Sequence, residues 1–210
     1  MQLRDILTIH ESPMARQFRH VVDIVDQLHR FPTLLPFPLI HTKSRRENGA
    51  YNHRMRPSRP ISIAVSVYAD FPSLTLLHEV GHLLDHLVLN PIKQGFGSEH
   101  DPLFEPLRRY WSGSRLIRTL AALLERNSRL APGIRTLIRY QMETPELWAR
   151  TYLQWVVKKS DDLLLQACLA SVRGKPAAFA GRTTHFCWED AEMDDIIPLV
   201  DEVLSEAGLL

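Results

Sequence analysis

Residues 78 to 82 read His-Glu-Val-Gly-His. Two histidines four apart lie one turn apart on one face of a helix, so both imidazoles can reach a single zinc ion. The glutamate after the first histidine is rotated about 100° around the helix axis. Glu79 is therefore placed to hydrogen-bond a metal-bound water without being a ligand itself. With ten histidines and twelve glutamates in 210 residues, the bare pattern arises by chance in roughly 3% of such compositions. Its flanks narrow the reading further. Leu74, Leu76, Leu77, Leu83, Leu84 and Leu87 bury the helix, and buried imidazoles beside a buried carboxylate need partners, which a metal supplies.

A catalytic zinc takes three protein ligands and keeps one position open. Asp85 follows His82 on nearly the same face. On a straight helix, however, positions 78 and 85 lie about 10 Å apart, too far to share one ion. Asp85 is expected instead to accept a hydrogen bond from a ligand histidine and fix its tautomer. His86 is expected to be a packed or exposed histidine.

The third ligand has to come from another element. Glu146 is one candidate, because Thr144 and Pro145 suit the start of a helix. A first-turn position favours its ionised form, which a metal needs. Ala149, one turn on, allows close approach to the first helix. Glu143 is a rival, and first-turn glutamates commonly do no more than complement the helix dipole. Arg150 either orients Glu146, pairs with Asp85 or faces solvent.

The elements that position these residues follow from periodicity. Ile61 to Val67 alternates large and small residues at period two and reads as a strand, placed at a sheet edge beside a cleft. From about Pro72 to Asn90 the pattern is helical, with Asp70 or Ser73 as cap. An earlier helix covers about 14–30, on Phe18, Val21, Val22, Val25 and Leu28. Three prolines in 31–38 end it, and Pro38 to His41 suits a short strand. Beyond a loop at 92–101, helices are expected near 102–111, 114–126, 132–141, 145–159, 161–172 and 191–207. Residues 173–187 read as a long loop. This order predicts one α+β domain, mostly helical with a small sheet, with the N-terminal helical segment packed on the rest.

Composition excludes several classes. The chain is 45% hydrophobic and 23% charged, with 25 basic and 24 acidic residues, which argues against a strongly basic nucleic-acid binder. One local patch departs from that balance. Lys43, Arg45, Arg46, Arg54, Arg56 and Arg59 stand against the single acid Glu47, ordinarily a solvated loop, otherwise a site for an acidic substrate, an acidic partner or nucleic acid. Cys168 and Cys187 form no short pair motif, so they read as packing residues in a reducing compartment. No signal peptide and no apolar run of about 18 residues is read, which predicts a cytoplasmic protein without membrane partners. Trp148, Tyr152 and Trp155 recur at helical spacing and read as core. Tyr51, Tyr140, Tyr152 and His185 can each stabilise an oxyanion, and the sequence selects none of them.

The stretch LTLLHEVGHLLDH resembles the active-site helix of small bacterial and phage-associated zinc metallopeptidases of the gluzincin kind. These carry HExGHxxD and, further downstream, a stretch similar to ELFARAYAQYIA. Glu146 to Val157 reads ELWARTYLQWVV, with Trp148 for the usual Phe and Trp155 for the usual Tyr. Weaker similarities are Asn48-Gly49-Ala50-Tyr51 with the following strand, and Trp188 to Met193 before the last helix. The resemblance spans roughly residues 38–210 and leaves the first 37 unmatched. It implies a zincin-like fold, one Zn2+ per chain on His78, His82 and Glu146, and hydrolysis of a protein or peptide substrate with Glu79 as general base. The competing expectation is a zinc-binding regulatory or interaction protein with a structural or vestigial site. A phage-delivered effector would share the chemistry and differ in target.

Overall fold

Strand β1 (Leu7–Ile9), β2 (Phe37–Thr42), β3 (Gly49–Met55) and β4 (Ser58–Ser66) form one mixed sheet in the order β1-β2-β4-β3. The computed structural model describes residues 1–55, 58–90, 95–126, 130–174, 177–179, 182–184 and 187–210. β1, β2 and β4 run parallel, and β3 returns antiparallel along β4 with Tyr51 opposite Ile63 and a register shift between Asn52 and His53. The strand that precedes the His-Glu-Val-Gly-His helix is therefore internal. The sheet edge beside that helix is β3, which corrects the placement of Ile61–Val67 at the edge. The reason lies in the polar segment read as a loop. It supplies a strand whose inward residues, Tyr51 and His53, pack on His86, an alternation of aromatic, imidazole and charged groups that apolar patterning does not register.

The helices are α1 (Leu3–Ile6), α2 (Ala15–Leu28), α3 (Pro72–Leu83), α4 (Gly97–His100), α5 (Glu105–Gly113), α6 (Arg115–Arg126), α7 (Pro132–Gln141), α8 (Thr144–Ser160), α9 (Leu163–Arg173) and α10 (Asp190–Glu206). A π-helical turn, Leu84–Val88, extends α3, and a 3-10 turn, Pro102–Phe104, precedes α5. Part of the segment expected as loop carries a short hairpin, β5 (Ala177–Phe179) and β6 (Arg182–Thr184). The fold is α+β. Among the described residues no helix is long and apolar enough to cross a membrane.

Helix α3 lies between the sheet and α8. It starts on Pro72, at a position where a missing N–H costs nothing. Leu76, Leu77, Val80 and Leu83 are fully buried, each contributing about 1.5–3 kcal/mol. α8 is buried from Pro145 to Val157, with Trp148, Tyr152 and Trp155 at 0% exposure, so the aromatic series is core. Residues 1–37 share this core. They supply β1 to the sheet and α2 against α3 and α8, with Leu3, Ile6, Phe18, Val21 and Val25 buried.

Candidate metal centre and its cleft

Two helices bring the candidate ligands together. His78 and His82 stand one turn apart on α3, and Glu146 sits in the first turn of α8. His78 Nε2 is 3.3 Å from Glu146 Oε2, His82 Nε2 is 3.2 Å from Glu146 Oε1, and the two Nε2 atoms are 3.2 Å apart. Four ligands at zinc distances in a tetrahedron are separated by about 3.3 Å, so the two nitrogens and the carboxylate, one oxygen toward each imidazole, lie close enough together to surround one ion. Glu143, the rival, is exposed at the N-cap of α8 and stands outside this group.

The electrostatics suit a cation. Burial pushes the Glu146 carboxyl up, but hydrogen bonds from His78 and His82 outweigh it and hold the group well below the usual carboxylate range. Burial pushes His82 down, and Glu146, Glu79 and Asp85 together reverse that and raise it. A buried carboxylate held ionised between two imidazoles is a donor set that suits a divalent cation.

Glu79 is 5% exposed and lies beside the pair, rotated off the ligand stripe. Burial raises its carboxyl, with His78 and His82 pulling it back, and the Tyr51 backbone N–H is its hydrogen-bond donor. The approach of β3 is close. A Cβ on Gly49 would stand 2.6 Å from Glu79 Oε1 and 2.5 Å from Thr75 Cγ2, so only glycine lets the edge strand lie against this carboxylate.

Asp85 is fully buried, and its carboxylate accepts from the Ser98 N–H at 2.6 Å and from the Ser98 hydroxyl at 2.5 Å. His82 Nδ1 is buried without a hydrogen-bond partner among the described residues. The expected Asp85–histidine hydrogen bond is thus replaced by one to α4. A π turn is wider than an α turn, and Asp85 lies within it, off the straight stripe that the sequence suggests. His86 is packed, with Tyr51 Oη at 2.9 Å from Nδ1 and Ser58 Oγ at 3.0 Å from Nε2.

Arg150 is buried one turn after Glu146. Its Nε donates to the Glu146 carbonyl at 3.0 Å, and Nη2 donates to the Gln141 carbonyl. The guanidinium therefore fastens the α7–α8 turn on which Glu146 sits, and its burial removes the solvent-facing alternative. That turn also presents Tyr140, whose hydroxyl donates to Glu146 Oε1. Of the four oxyanion candidates, Tyr51 is engaged with His86, Tyr152 is buried against His29 at 2.7 Å, and His185 lies outside the described residues. Tyr140 alone among the described three lines the cleft.

The cleft is a cavity of about 460 Å³ bounded by His78, Glu79 and Glu146, with an apolar wall of Phe71, Leu74, Leu153 and Leu169. Cys187 also lines it, a free thiol that burial pushes up. Neither the steric requirement at Gly49 nor the Ser98 partner of Asp85 is legible in the sequence, because a glycine's tolerance and a serine's contact leave no periodic signal. Comparison with protein-family models, with curated proteins and with solved structures finds no match.

Proposed function

We propose that this chain is a zinc-dependent metallopeptidase of zincin-like architecture. The observation that carries the reading is the convergence of His78, His82 and Glu146 at 3.2–3.3 Å beside a cavity that Glu79 also lines. Structural zinc sites are closed by four protein ligands. Here three ligands meet among the described residues, next to open volume, which favours hydrolysis over a structural role.

Zinc bound on these residues supplies a Lewis acid for a substrate carbonyl and acidifies a water. Glu79, held by the Tyr51 N–H and raised by burial, accepts the proton of the attacking water and passes it to the leaving amine. Tyr140 Oη, once its hydrogen bond to Glu146 Oε1 is released, donates to the carbonyl oxygen as it gains charge. The free edge of β3 offers backbone groups along which an extended peptide aligns, in place of the internal strand β4.

The test is metal content per chain, together with peptide hydrolysis, for wild type, Glu79→Gln, Glu143→Ala and Glu146→Ala. About one zinc per chain is expected in all but Glu146→Ala, with turnover lost in Glu79→Gln. Undiminished hydrolysis by a clean Glu79→Gln preparation would falsify the mechanism. Equal zinc in Glu146→Ala would remove Glu146 from the ligand set.

A further inference from the structure

The edge strand beside the cleft carries uncompensated positive charge at both ends. Lys43, Arg45 and Arg46 precede β3, and Arg54 and Arg59 close its hairpin with β4; all five are exposed. None has an ion pair among the described residues, although Arg45 lies 4.9 Å over the Tyr68 ring. Arg54 stands directly opposite Arg59 in the register, a like-charge pairing that costs stability unless an anion relieves it. Arg46 reaches the cavity wall itself, beside the single acid Glu47. Arg56 lies outside the described residues.

We propose that this rim makes the cleft selective for an acidic peptide, one with an apolar residue for the cavity and carboxylates on both sides of it. This rests on the reading of the site as a peptidase centre. The spacing follows from the strand. Gly49 marks the point where β3 touches Glu79. Arg46 precedes it by three residues and Arg54 follows by five, a span of about 16 Å on the far side at strand rise. An extended peptide along the edge therefore meets cations to either side of the reacting bond, while its apolar residue enters the wall of Leu74, Leu153 and Leu169. A nucleic acid is the poorer occupant. Single strands bind along grooves that interleave cations with several stacking aromatics, and this rim offers Tyr68, half exposed beside Arg45, whereas the β3 edge offers the donors and acceptors of a peptide ladder.

The experiment uses the full chain, zinc-loaded, as Glu79→Gln, so that binding is read without cleavage. Labelled peptides of equal length share a central leucine and carry Asp/Glu, Ser/Asn or Lys/Arg flanks, with fluorescence anisotropy as readout. The acidic peptide is expected to bind about tenfold tighter than the neutral one, weakening with salt. Adding Arg46→Glu and Arg54→Glu is expected to abolish that preference and favour the basic peptide, with zinc content unchanged. Equal affinities for all three peptides, or an acidic preference indifferent to the charge reversals, overturns the proposal. So does tighter binding of a single-stranded oligonucleotide that displaces the peptide. Wild-type protein on the same peptides separates the two readings. Arg-dependent acidic binding without cleavage retains this surface and removes the peptidase assignment, while cleavage without charge preference does the reverse.

Discussion

Gly81 and Trp148 join α3 and α8 directly: the Trp148 indole N–H donates to the Gly81 carbonyl oxygen at 2.9 Å. The contact is possible because Gly81 has no side chain. A Cβ there would stand 2.9 Å from Ala149 Cα and 3.3 Å from its Cβ, and the obstructing atoms are backbone that cannot swing away. The small residue inside the His-Glu-Val-Gly-His segment therefore sets the distance between α3 and α8, and with it the distance of Glu146 from His78 and His82.

Gly81→Ala is accordingly expected to destabilise the fold by about 1–3 kcal/mol through overpacking, despite alanine's better helix propensity. Because the strain separates the ligand-bearing helices, zinc affinity should fall as well. Chemical denaturation and a zinc titration of the same preparation check both. A variant as stable as wild type with unaltered affinity would show that the helices have slack.

Gly49→Ala presses on Glu79, the proposed general base, and leaves His78, His82 and Glu146 alone. The new methyl group meets Glu79 Oε1 and Thr75 Cγ2, so the edge strand or the carboxylate must shift by several tenths of an ångström. Misplacement of a reacting group on that scale lowers rate by about 10- to 100-fold, with zinc content near that of wild type. Thr75→Ser removes one of the two obstructions, and a double variant is expected to recover part of the lost stability. Thermal unfolding read beside kcat separates the two effects.

Tyr140→Phe distinguishes a donor to the reacting oxygen from a support for Glu146. The hydroxyl donates to Glu146 Oε1 at the wall of the cleft. Loss of an oxyanion donor costs about 10²- to 10³-fold in kcat, and that loss is expected here per bound zinc, with zinc affinity little changed. A fall in zinc affinity with unaltered kcat per bound zinc would assign the tyrosine to ligand positioning alone.

Asp85 gives the fold a pH dependence with a definite sign. Burial lifts its carboxyl from 3.8 to about 7, against the opposing pull of the two Ser98 hydrogen bonds and of His82. The folded state thus holds this proton more tightly than the unfolded chain. Its contribution is complete below about pH 4 and is lost as pH rises to about 7, at no more than about 1.4 kcal/mol per pH unit. Asp85→Asn retains an acceptor for the Ser98 N–H and a donor for its hydroxyl. In metal-free protein, its stability difference between about pH 5 and pH 8 should be the smaller of the two. Equal losses in wild type and variant would remove Asp85 as the source.

Much of this architecture is legible in the chain itself. The spans of α2, α3 and the helices from α5 onward follow from apolar periodicity, proline starts and turn residues, because an amphipathic helix is specified by its own 3.6-residue repeat. The placement of Glu79 off the stripe of His78 and His82 is equally local, a consequence of helical rotation. Short or polar elements were less readable. β1 has three residues, too few to show a period, and β3 hides its pattern in tyrosine, histidine and arginine.

What the tertiary structure decided is which candidates meet. Glu146 and Glu143 are three residues apart and chemically alike, and only the approach of α8 to α3 at Gly81 and Ala149 puts one beside the histidines and leaves the other in solvent. Tyr140, Tyr51 and Tyr152 are equivalent in the sequence, and packing turns Tyr140 to the cleft against Glu146 while it places Tyr51 on His86 and Tyr152 on His29. A straight helix predicts Asp85 beside a histidine, and the π turn delivers it to Ser98. Local geometry is written in neighbouring residues, whereas a site built from α3, β3 and α8 depends on distances between helices and strands, which small residues and close packing set far along the chain from one another.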